Sequence, residues 1–171
     1  MAVWMVVAAA IVLFMGFTST YVVRMAEPGW VRERLPGLLW VNTVILVASS
    51  VSMEAVRWRL RRSDVAGARR ALAWTAILGA AFVAGQVAAW LQWWAAGFPV
   101  NRSTHAGFFY LLTGTHAVHV AGGLAALGYG LVRLARPGAT VRQLAGTASN
   151  IATYWHFVDV LWLYVFALLL W

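Results

Sequence analysis

Read for polarity alone, the chain alternates long apolar runs with short polar connections that carry arginine. Five runs are long enough to cross a hydrocarbon core of about 30 Å, which takes about 20 helical residues. They fall near residues 1–23, 37–57, 71–96, 105–133 and 149–171. None alternates apolar and polar positions as a barrel strand does, and each is apolar all round. The pattern predicts an all-α membrane protein, a bundle of five transmembrane helices forming one transmembrane domain over 1–171. The first run, "MAVWMVVAAAIVLFMGFTSTYVV", has no basic segment before it and exceeds the apolar core of a signal peptide. It is read as a retained helix.

Composition sharpens that picture. Of the 171 residues 63% are hydrophobic and 11% charged, against about 25% charged in soluble domains. The absence of cysteine excludes disulfides, thiolate metal sites and cysteine nucleophiles. The formal charge of +8 does not point to nucleic acid, because all 13 basic residues are arginines and most sit in the short connections. The stretch "RWRLRRSDVAGARR" holds Arg57, Arg59, Arg61, Arg62, Arg69 and Arg70, and positive charge favours the cytoplasmic side. With five spans the N-terminus is then also cytoplasmic and the C-terminus external. Arg133, Arg136 and Arg142 join the inside set, leaving Arg24, Arg32, Arg34 and Arg102 outside.

Rows of small residues predict close helix packing. The third span offers Ala80, Ala84 and Ala88 and the parallel row Ala81, Gly85 and Ala89; the fourth offers Gly122, Ala126 and Gly130. Tryptophans near span ends (Trp30, Trp40, Trp58, Trp93, Trp94, Trp171) suit interfacial anchoring. No internal repeat or pair of broken helices is present to support a transporter.

Ionisable groups within the spans are the informative positions. The fourth span carries His116 and His119 in "TGTHAVHV", with Thr113 one turn before them on the same face. The fifth carries Thr153, His156 and Asp159 at the same spacing in "TYWHFVDVLW". By helical rise His116 lies about 17 Å and Asp159 about 15 Å into the membrane from opposite sides. The two polar stripes thus reach similar depths. A carboxylate and an imidazole that bond each other cost far less to bury than either alone, so Asp159 is expected to pair with His116 or His119. Glu54, near the end of the second span, is three residues from Arg57 and is read as half of a local ion pair. Other uses of the polar set are a haem between two helices, a zinc or copper site, or a proton relay through Asp159 and the histidines. The residue spacing alone does not separate these from hydrogen bonding between helices.

"FFYLLTGTHAVHVAGG" followed by "YWHFVDVLWLYVF" resembles subunit III of the haem–copper terminal oxidases, whose members carry a T-G-x-H-x-x-H-V helix and then a W-H-F-V-D-x-x-W helix. "NTVILVASSVSMEA" and "ALAWTAILGAAFVAGQ" resemble two earlier helices of that family, so the similarity runs along essentially the whole chain. Most members have seven helices, and this chain resembles the five-helix bacterial form of cytochrome c oxidase subunit III. The chain departs at Ala10, six residues before Gly16, where the family often has a glutamate. The third span likewise offers Gln86, Trp90 and Gln92 where many relatives have a membrane glutamate. A direct proton-conducting role weakens accordingly.

The resemblance implies a non-catalytic subunit of an aerobic, proton-pumping haem–copper oxidase of the respiratory chain, in the bacterial plasma membrane. It implies no haem, copper or catalytic residue in this chain, those cofactors belonging to subunits I and II, and no nucleic-acid partner. Thr113, His116, His119, Trp155, His156 and Asp159 form the structural polar motif, and Arg133, fourteen residues after His119, matches an arginine that contacts a phospholipid headgroup. The same family leaves open a quinol oxidase subunit III or a nitric oxide reductase accessory subunit, because the electron donor is chosen by other subunits. A self-standing haem-binding electron carrier built on His116 or His119 with His156 is the rival from a different class.

Overall fold

A computed structural model describes residues 2–136 and 138–171; Met1 of the first predicted span and Pro137 of the fourth connection lie outside the described residues. The chain forms five helices: α1 (Ala2–Met25), α2 (Leu38–Arg61), α3 (Val65–Ala95), α4 (Thr104–Ala135) and α5 (Val141–Leu170). There is no strand among the described residues. All five helices are long and apolar enough to cross a membrane. This is an all-helical, multi-pass membrane protein.

Capping side chains set helix limits that hydropathy misses. α3 begins at Val65, not residue 71, because Asp64 accepts the Gly67 N–H at 2.8 Å. The same carboxylate pairs with Arg59 Nη1 at 3.0 Å, tying the end of α2 to the start of α3. The turn closes through Ser63 in the left-handed region, φ 58°. α5 begins at Val141 rather than near residue 149. Its start is a capping box, in which Gln143 N–H bonds Thr140 Oγ1 and Thr140 N–H bonds Gln143 Oε1. Arg69, Arg70 and Arg142 therefore lie on helices rather than in connections.

α2 and α3 form the most extensive pairing; α4 packs on α3, α5 packs on α2 and α4, and α1 rests against α4 and α5. The largest fully buried side chains are aromatic, among them Phe82, Phe109, Trp155 and Trp162. Close approach occurs at Gly79, Gly123 and Gly130, where an added Cβ would meet a neighbour at 3.0 Å or less, and at Gly85, which seats Asn42 of α2. The predicted rows are partly displaced from these positions. Ala80, Ala84, Ala88 and Gly122 face outward, while Gly85, Ala89 and Gly130 do sit at packed positions. A row of small residues reads the same whichever side of the helix it occupies.

Trp40, Trp58, Trp94 and Trp171 are exposed near helix ends, and Arg62 stacks over Trp58 at 3.8 Å. Trp93 departs from the interfacial expectation. It is buried against Phe98 and Phe109 and donates its indole N–H to the Arg34 carbonyl at 3.1 Å. Its neighbour Trp94 takes the outward position, as consecutive helical residues must diverge.

Candidate functional site: the polar seam between α2, α4 and α5

The seam starts with two adjacent serines on α2. Ser49 Oγ accepts the Trp155 indole N–H at 3.0 Å, and Ser50 Oγ lies 2.6 Å from His156 Nδ1. Adjacent residues of α5 thus bond adjacent residues of α2, which fixes the register of the two helices. His156 Nε2 lies 2.7 Å from Glu54 Oε1, and Arg57 Nη1 lies 2.8 Å from that same oxygen. The expected Glu54–Arg57 pair is therefore formed, but it belongs to a larger chain running Arg57, Glu54, His156, Ser50.

Trp155 is wedged between helices. Cβ atoms built at Gly79 on α3 and Gly123 on α4 would stand 2.6 Å and 2.9 Å from its ring. Two turns further along α5, Trp162 donates to Thr43 Oγ1 at 3.0 Å and packs on Phe82 with ring centroids 5.0 Å apart. His116 sits against the same pair, 5.8 Å from Phe82 and 5.1 Å from Trp162. It is fully buried, and neither ring nitrogen meets a hydrogen-bonding group among the described residues.

Thr113 is buried, donates to the Phe109 carbonyl at 2.6 Å and accepts the Trp90 indole N–H at 2.9 Å. His119 Nδ1 turns back to the Thr115 carbonyl at 2.8 Å, while its own carbonyl accepts from Tyr154 at 3.1 Å. The anticipated bond between Asp159 and an α4 imidazole is not formed among the described residues. His119 is occupied by its own helix, and His116 is enclosed by aromatic rings. The Asp159 carboxyl is buried on α5 between the Trp155–Ser49 and Trp162–Thr43 bonds, and neither of its oxygens meets a hydrogen-bonding group among the described residues.

Arg133 is half-buried near the end of α4, makes no ion pair among the described residues, and lines a crevice with Leu72, Gly130, Leu144 and Thr147. Among the described residues no three His, Asp or Glu side chains converge as a metal site. At the other end of the bundle His105, which the sequence reading passed over, is fully buried and its Nδ1 accepts the Glu33 N–H at 3.4 Å. It lies two residues after the Ser103 cap, where no local signal marks its burial. Ser49, Ser50 and Asn42 were equally silent, being small or amide side chains in an apolar run.

Residues 34–171 match the family model described as cytochrome c oxidase subunit III. A cytochrome c oxidase subunit 3 from Corynebacterium diphtheriae is 37% identical over 126 residues, 74% of this chain and 61% of that protein. One from Synechocystis sp. is 34% identical over 161 residues, covering 91% of this chain and 68% of its own. One from Thermostichus vulcanus is 35% identical over 129 residues, 75% of this chain and 63% of its own. The chain thus spans roughly three-fifths to two-thirds of the length of these curated relatives. The matched span includes both histidine-bearing helices and the two serines that meet α5, and on it the chain belongs to the cytochrome c oxidase subunit III family.

Proposed function

We propose that this chain is the non-catalytic subunit III of an aerobic haem–copper terminal oxidase, held in the plasma membrane beside subunits I and II. Haem and copper reside in those partners; this chain braces the redox subunit and supports its proton uptake. The observation that most favours the reading is the interlocking of the two helices that carry the family resemblance. Tyr154 of α5 bonds the His119 carbonyl of α4, and His116 of α4 packs on Trp162 of α5. The seam has the character of a helix clamp. Its imidazoles are spent on hydrogen bonds or enclosed by rings, and a haem between α4 and α5 would need Phe82 and Trp162 to move away from His116.

The reading includes two further elements. A groove of about 350 Å³ between α1, α4 and α5, lined by Val6, Gly122, Ala126, Ile151 and Tyr154, suits a phospholipid acyl chain. Arg133, further along α4, suits its headgroup. The arginine-rich connection between α2 and α3 faces the cytoplasm, with the N-terminus on the same side.

The test is isolation of the tagged chain from its own membranes in mild detergent, with mass spectrometry and a visible spectrum. Haem-bearing subunits I and II should copurify, and the chain stripped of them should be colourless. Stoichiometric haem retained by the partner-free chain, or purification without any oxidase subunit, overturns the reading.

A further inference from the structure

The chain Arg57–Glu54–His156–Ser50 runs from the half-exposed Glu54 carboxylate toward the buried carboxyl of Asp159. The Glu54 side chain is 50% exposed and His156 30%, whereas Asp159 is 6% exposed. Each successive contact is short: 2.7 Å from Glu54 Oε1 to His156 Nε2 and 2.6 Å from His156 Nδ1 to Ser50 Oγ. Asp159 lies one helical turn beyond His156 on α5, between the Trp155–Ser49 and Trp162–Thr43 bonds that hold α5 to α2. Every atom along this path accepts or donates a proton, and both nitrogens of one ring are engaged by groups on different sides of it.

We propose that Glu54, His156 and Ser50 form a proton-exchange branch through which the buried Asp159 carboxyl reaches water at the arginine-rich end of α2. In the resting arrangement His156 is neutral, donates Nε2–H to the Glu54 carboxylate and accepts the Ser50 hydroxyl proton at Nδ1. For release, the Asp159 proton passes to Ser50 Oγ as the Ser50 proton passes to His156 Nδ1, giving an imidazolium and a carboxylate. The Nε2 proton then moves to Glu54 and from there to water. Uptake runs the same steps backwards: Glu54 is protonated, Nε2 receives that proton, Nδ1–H returns to Ser50 and the Ser50 proton to Asp159. The ring alternates between its two tautomers as Asp159 loses and regains its proton, so no separate reset is needed. Arg57 holds the Glu54 carboxylate in place.

The surrounding ionisable groups leave this path alone. On α4, His119 bonds its own helix and His116 lies beyond Trp162, while on α3 Arg69 and Arg70 belong to the first turns. On α1, Arg24 occupies the last turn and pairs with Glu27. The branch deepens the proton-uptake element of the oxidase-subunit reading and rests on it for its use, though the exchange itself is a property of this chain.

The experiment is time-resolved infrared spectroscopy of the intact complex in native membranes after a pH jump. The carboxylic-acid C=O band is assigned to Asp159 by its loss in Asp159→Asn. Ser50→Ala should slow relaxation of that band by about 100-fold, the lower end of the range that a positioned proton carrier contributes, while Ser50→Thr restores it. Glu54→Gln, at a half-exposed position, should slow it likewise and serves where Ser50→Ala disturbs the bundle. A wild-type relaxation rate in Ser50→Ala or Glu54→Gln, or an Asp159 band indifferent to bulk pH, overturns the proposal. Such a failure would leave copurification with haem-bearing subunits intact, and loss of copurification would leave the infrared response of the chain intact.

Discussion

The ring of Trp155 on α5 lies directly on the backbone of Gly79 on α3, where an added Cβ would stand 2.6 Å from it. Gly123 on α4 presses on the same ring from another helix, so one indole fixes the separation of three helices. Gly79→Ala should destabilise the bundle by about 1–3 kcal/mol through overpacking. Trp155→Phe in the same chain should recover part of that loss, because the smaller ring vacates the space. Denaturant titration of the single and double variants checks this; strict additivity would show that ring and glycine do not press on one another.

Thr113 and Trp90 join α4 to α3 through one hydrogen bond of 2.9 Å. Thr113→Val keeps the side-chain shape and strands the indole N–H. Within a membrane such bonds average about 0.6 kcal/mol and reach about 1.7 kcal/mol, so a coupling in that range is expected from a cycle with Trp90→Phe. A coupling of zero would mean that the indole finds another acceptor when Thr113 is removed.

Much of this architecture is legible in the sequence because lipid imposes one requirement on every span, a continuous apolar run with its backbone bonded internally. The five helices follow from that alone. Their starts do not, because α3 and α5 open with arginine-bearing turns that hydropathy assigns to connections, and only the capping residues Asp64 and Thr140 reveal them. The polar stripes on α4 and α5 were equally legible, since an imidazole or carboxylate in an apolar run stands out. Their partners were not. Similar depth points to Asp159 and an α4 histidine as partners in the sequence, but depth fixes one coordinate and leaves rotation about the helix axis undetermined. Glu54 had a sufficient neighbour in Arg57, and its contact with His156, 102 residues away, leaves no trace in local spacing.

Asp64 gives a pH dependence with a definite sign. The Gly67 N–H and then the Arg59 guanidinium hold its carboxyl below the ordinary aspartate value of 3.8. A carboxyl with a lowered folded-state pKa stabilises the fold above the unfolded value, and that contribution disappears as pH falls through the folded one. The first turn of α3 should therefore stay protected at neutral pH and open only in acid, below about pH 4. Hydrogen exchange at the Gly67 and Ala68 amides, corrected for intrinsic rates, measures it. Asp64→Asn should flatten the acid limb while preserving protection at neutral pH, since asparagine caps a helix without a charge.

The connection between α1 and α2 is fastened by three consecutive residues to three different helices. Arg32 Nη1 donates to the Leu170 carbonyl at the end of α5 at 2.9 Å. The Glu33 N–H donates to His105 at the start of α4, and the Arg34 carbonyl accepts from Trp93 near the end of α3. The Glu33 and Arg34 bonds satisfy backbone groups that the segment, lacking helix or strand, cannot satisfy itself, and the Arg32 side chain satisfies a carbonyl at the end of α5. Loss of any one should loosen the strap without unfolding the bundle, because the helices retain their own packing. His105→Leu removes the acceptor for Glu33 at a buried site, and a hydrogen bond of about 1 kcal/mol corresponds to roughly fivefold faster exchange of that amide. Trp93→Phe should loosen the strap at Arg34 while keeping ring contacts with Phe98 and Phe109. Hydrogen exchange resolved to residues 30–36 separates the two outcomes. Acceleration confined to the strap supports the fastening role, whereas acceleration spread through α4 and α5 would make His105 a core residue on which the whole bundle depends.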